Sequence, residues 1–170
     1  LARVGEPFSL GQNVRVGVAN ARAAFDAAEQ LVVYRSADAD VDVVVRAYGR
    51  DGRPGPIVLD QAAYSHLELS PDGTHLAVAM GTVANRDLWL KDLSGGVFSR
   101  LTTLPGPEVQ EVWSPDSRHV AFMNGGRIFS TTVGSAAAAP VTGTDGYVLL
   151  EDWTPDGRFL VARTASGAVG

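Results

Sequence analysis

Cysteine is absent from this 170-residue chain, which excludes disulfides and thiolate metal sites and leaves the redox compartment open. Histidine occurs three times, and Asp plus Glu (19) outnumber Lys plus Arg (14). The net charge of −5 argues against a nucleic-acid partner, because proteins that bind a phosphate backbone display a basic face. No apolar run approaches the roughly 20 residues that a membrane-spanning helix needs, so no membrane insertion is expected of this chain. Also missing are a Gly-x-Ser-x-Gly nucleophile elbow, a Gly-x-x-x-x-Gly-Lys-Ser/Thr phosphate loop and a His-Glu-x-x-His metal motif. These absences weigh against an enzyme, and neither catalytic residues nor a cofactor is expected. The chain opens at Leu1 without a methionine and carries no signal peptide, so a processed, trimmed or excerpted product is expected.

Turn-forming residues, by contrast, are plentiful: 19 glycines and 9 prolines beside a 45 % hydrophobic content. One turn is written three times, as Ser70-Pro71-Asp72-Gly73, Ser114-Pro115-Asp116-Ser117 and Thr154-Pro155-Asp156-Gly157, at intervals of 44 and 40 residues. Repeats of that period indicate propeller blades. Proline presets φ for the turn, aspartate bonds nearby backbone N–H groups, and glycine takes the positive φ that follows. Ser117, which has a Cβ, predicts a strained or different turn.

Each copy follows an apolar residue (Leu69, Trp113, Trp153) and precedes a short apolar strand: Leu76-Ala77-Val78, Val120-Ala121-Phe122 or Leu160-Val161-Ala162. A degenerate copy at Phe25 to Glu29, followed by Val32-Val33-Tyr34, keeps the apolar frame. Third strands are expected from Asp42, from Asp87 and near Arg127, and fourth strands near Ile57–Leu59, Ser99–Thr102 and Ala139–Thr142. The expected fold is all-β, a propeller of about four blade equivalents of four-stranded antiparallel sheets, as a fragment or half of a larger ring. Residues 1–170 form one domain on this reading. An outer strand of a preceding or composite blade lies at 8–18, blades at 21–60 (degenerate), 64–104 and 108–142, and a partial blade at 147–170.

The aromatic residue, Ser-Pro-Asp-Gly turn, Ala-Phe-type strand and closing Leu-Thr together resemble the TolB-like, or WD40-like, propeller repeat. Leu69 to Thr102 and Trp113 to Thr142 carry the closest matches, and the resemblance spans roughly residues 20–170. It implies a non-enzymatic scaffold for a protein, peptide or ligand, of bacterial periplasmic or extracellular location. The alternative is the substrate-gating propeller of a prolyl-oligopeptidase-type serine peptidase whose catalytic domain lies outside this chain. A third context is the sensor region of bacterial serine/threonine kinases, which the run Leu31 to Ser36 resembles.

Residues on the innermost strands are the candidate ligand-binding set: His66, Glu68, Gln110, Glu111, Glu151 and Asp152. Counting back from each turn puts His66 in register with Gln110 and Leu150, and Leu67 with Glu111 and Glu151. Such charges are expected to line a hydrated channel or to hold a cationic segment. His75 and His119, 44 residues apart, mark a repeated structural position. Asp38, Asp40 and Asp42 alternate like the start of a calcium loop but lack its glycine and distal glutamate, so no metal site is assigned there. An open arc would forgo roughly 10 kcal/mol per end face if each shows about 400 Å² of apolar area. Self-association through the terminal blades, as a two-fold dimer of about eight blade equivalents, is therefore expected.

Overall fold

A computed structural model describes residues 25–27, 32–35, 43–135, 137–141, 143 and 148–164, and no helix occurs among them. The first four-stranded antiparallel sheet comprises β1 (Phe25–Ala27), β2 (Val32–Arg35), β3 (Val43–Tyr48) and β4 (Pro54–Ala62). The second comprises β5 (Tyr64–Leu69), β6 (His75–Gly81), β7 (Arg86–Asp92) and β8 (Phe98–Arg100). The third comprises β9 (Glu108–Trp113), β10 (His119–Asn124), β11 (Arg127–Thr132) and β12 (Ala138–Pro140). A two-stranded sheet of β13 (Val148–Trp153) and β14 (Leu160–Thr164) follows. In every sheet the strands lie in chain order, and the first strands β1, β5, β9 and β13 stand side by side. That is a partial β-propeller of three four-stranded blades and a half blade. The expected strand at 8–18 lies outside the described residues.

Strand period places alternate residues on opposite faces of a blade, and the sequence sizes them differently. On β6, Leu76 and Val78 enter a core with Val43, Val45 and Leu59 of the preceding blade. Ala77 and Ala79 point the other way, with Leu88 and Leu90, and their small size admits Trp113, Val120 and Phe122 of the next blade. On β10 the complementary residues Ala121 and Met123 join Val112, Ile128 and Leu150. Three cores are thus buried only where one blade meets another, which is the physical reason for repeating the unit.

The Pro-Asp turn is built alike in all three copies. The hydroxyls of Ser70, Ser114 and Thr154 donate to Oδ1 of Asp72, Asp116 and Asp156 at 2.6, 2.5 and 2.6 Å. The same hydroxyl oxygens accept from the N–H of His75, His119 and Phe159 at 2.9, 2.9 and 3.0 Å. Gly73, Ser117 and Gly157 take φ of 70°, 59° and 72°. Ser117 therefore keeps the glycine turn at a conformational cost, rather than adopting another. Its Oγ also accepts from the N–H of Asp72 at 3.1 Å, tying the turns of adjacent blades together.

Candidate functional site

The first strand of each described blade from β5 onward carries one residue more than its partner strand. Register shifts fall between Tyr64 and His66 on β5, opposite Ala121 to Met123 on β9, and between Leu150 and Asp152 on β13. A bulge of this kind re-aims the side chains beyond it by one position. On β9 it is accompanied by Gln110 at φ 56°, an unfavourable conformation for glutamine.

The bulges decide which polar residues meet. His66 on β5 faces Glu111 on β9, Nδ1 to Oε2 at 3.1 Å, instead of the Gln110 that repeat counting aligned with it. Glu111 is fully buried and does not border an open channel, and Gln110 is 7 % exposed. Burial pushes the Glu111 carboxyl up, but the neighbouring His66 and, more weakly, Arg86 outweigh it and hold the carboxyl below its usual range. Arg86, at the start of β7, has its guanidinium lowered by burial and raised by Glu111. Among the described residues neither Arg86 Nε nor Gln110 Oε1 has a hydrogen-bond partner, and both atoms are buried. The cluster is a desolvated charge group clamped between two blades.

The remaining candidates make other contacts. Glu68 is half-buried, and its carbonyl accepts from Nε1 of Trp113 at 3.0 Å across the blade boundary. Glu151 pairs with Arg163 of its own half blade at 2.6 Å. Asp152 is exposed, its Oδ1 accepting from the N–H of Trp153 at 2.7 Å. Asp38, Asp40 and Asp42 lie outside the described residues. Among the described residues, no group of three or more His, Cys, Asp or Glu could hold a metal ion, and no helix is long and apolar enough to cross a membrane.

No family model and no curated protein matches the sequence. Solved structures do. One is a protein designated TolB from Agrobacterium tumefaciens, at TM-score 0.64 and 19 % identity over 83 % of this chain and 53 % of that one. Another is TolB from Acinetobacter baumannii, at TM-score 0.65 and 19 % identity over 85 % of this chain and 38 % of that one. The fold is that of a TolB-like β-propeller. The chain spans about half the length of the first of these proteins and less of the second.

Within this TolB-like frame two residues escaped sequence reasoning. Arg86 carried no signal, because it opens a third strand as any solvated residue could. Glu108 did carry one: it occupies the repeat position held by Tyr64 and Val148, where the other blades have an apolar residue. Its buried carboxylate accepts from the N–H of Leu88 at 3.0 Å and of Leu104 at 2.9 Å, and from the hydroxyl of Thr102. Burial raises the Glu108 carboxyl despite these bonds, which lower it. Thr102 is the threonine of the Leu-Thr motif, and its oxygen also accepts from Leu88 N–H at 3.0 Å. The motif thus closes one blade onto the first strand of the next.

Proposed function

We propose that this chain is a non-catalytic propeller segment that holds a basic protein or peptide segment against the ends of its first strands. The observation that supports the reading is the placement of His66 and Glu68 on β5 and of Glu151 and Asp152 on β13, all at least partly accessible, along one row of first strands in which β9 lies between the two. Strand ends from several blades offer a composite surface that no single blade provides. The exposed carboxylate of Asp152, with the partly accessible ones of Glu68 and Glu151, attracts ammonium and guanidinium groups over a Debye length of about 8 Å at physiological salt. A periplasmic or extracellular setting in a bacterium goes with this reading. Self-association through the end blades is a separate proposal, and light scattering that shows a folded monomer at micromolar concentration would remove it.

The test is selection of a random peptide library displayed on phage against the immobilised chain. Enrichment of Lys- and Arg-rich peptides is expected on the parent chain and not on the triple variant Glu68→Gln, Glu151→Gln, Asp152→Asn, with thermal unfolding unchanged. Peptides without charge bias, or equal enrichment on the variant, would defeat the reading.

A further inference from the structure

Two neighbouring blade junctions are built from the same motif, and only one of them is shut. Between the second and third blades, Trp113 is 4 % exposed, and its Nε1 reaches back to the Glu68 carbonyl at 3.0 Å. Its ring lies 6.3 Å from that of His75, and the Asp72 N–H donates to Ser117 Oγ. At the next junction the corresponding residues are His119, Trp153, Asp116 and Gly157. Gly157 has no hydroxyl to offer the Asp116 N–H. Trp153 Nε1 donates to the carbonyl of Gly157 in its own turn, at 3.1 Å, rather than to the neighbouring blade. The junction is left as a groove of about 390 Å³ lined by Pro115, Asp116, His119, Trp153, Pro155 and Asp156, among others.

The lining decides what fits. Trp153 and the two prolines give an apolar floor of the kind on which a cation or a planar guanidinium stacks. Asp116 and Asp156 stand in the lining as carboxylates. Both are held below the usual range, chiefly by the hydroxyls of Ser114 and Thr154 and then by backbone N–H groups. Those bonds use Oδ1 in each case. Among the described residues no Lys or Arg lines the groove; the guanidinium of Arg158 stacks 5.2 Å over Phe159, which is not part of the lining.

We infer that this groove is a docking site for an arginine or lysine side chain presented by an extended peptide segment. The side chain lies over the Trp153 indole with its charged end between Asp116 and Asp156. The site is independent of the first-strand surface proposed above and shares no residue with it.

The experiment uses the isotope-labelled chain and two probes, acetyl-Gly-Arg-Gly-Arg-Gly-amide and its Glu counterpart, observed at the indole N–H signals of the tryptophans. The Arg probe is expected to shift the Trp153 signal saturably and leave Trp113 unmoved, and the Glu probe to shift neither. Asp116→Asn with Asp156→Asn keeps the turn acceptors and should weaken binding about tenfold. Gly157→Ser should abolish the shift by supplying the hydroxyl that closes the neighbouring junction. Its Cβ meets nothing within 4 Å, and Ser117 already tolerates the same backbone region. Equal shifts with the Glu probe, or undiminished binding by a folded Gly157→Ser variant, would overturn the inference. So would an unmoved Trp153 at millimolar Arg probe.

Discussion

His66 and Glu111 meet across a blade boundary, Nδ1 to Oε2 at 3.1 Å, with the carboxylate fully buried and the imidazole side chain 19 % exposed. Removing one member leaves the other desolvated. His66→Ala is expected to cost about 3 kcal/mol, the low end for breaking a buried pair, because Arg86 still faces the carboxylate. Urea unfolding measures it, and a cost below about 1 kcal/mol would show that the pair is not holding the blades together.

The same pair sets an acid limit. A carboxyl held low in the folded state stabilises fully above its unfolded value of about 4.3, and that contribution is lost as pH falls through the lower folded value. Asp72, Asp116 and Asp156 act in the same direction. Stability of the parent chain should therefore fall from pH 5 to pH 3, and Glu111→Gln should flatten that slope. Identical slopes would assign the acid sensitivity to the aspartates, Asp92 with its bonds to Ser94 included.

The two turn-facing tryptophans should differ in weight. Trp113→Ala empties a junction core and removes the indole bond to the Glu68 carbonyl, at about 3–5 kcal/mol. Trp153→Ala, at the open junction, should cost only about 1–2 kcal/mol. Thermal melts of both variants give the comparison, and equal losses would contradict the open-groove geometry.

Thr102 links the backbone of β7 to Glu108 of the next blade. Thr102→Val keeps the shape and removes both bonds, leaving buried acceptor capacity on Glu108, at about 1–3 kcal/mol. Glu151 and Arg163, though 2.6 Å apart, are partly exposed, and breaking that pair should cost less than about 1 kcal/mol. A larger loss for the surface pair than for Thr102→Val would reverse this ranking of buried over exposed polar contacts.

Gly73→Ala should destabilise by about 1 kcal/mol, since its φ of 70° penalises a Cβ. Ser117→Gly should be nearly neutral, because relief at φ 59° is offset by loss of the bond to Asp72 N–H. Chemical denaturation of the two variants separates these terms. A marked gain from Ser117→Gly would mean that the bond between turns contributes nothing.

Blade architecture was legible in the residues because it is a local code. The hydroxyl, proline, aspartate and glycine of each turn bond to one another within six residues, and the Leu-Ala-Val or Val-Ala-Phe alternation sizes the two faces of a strand. The spacing of those units then requires neighbours to bury them. Contacts between blades were not legible. A single inserted residue in a strand exchanges its faces, so counting along the repeat sets His66 level with Gln110, while in the bulged strands β5 and β9 it faces Glu111. Nor could two nearly identical turn sequences reveal that one tryptophan reaches to the next blade while its counterpart bonds its own turn. Local hydrogen bonding fixed the repeated unit. Register between units depends on through-space packing, and only the tertiary structure decided it.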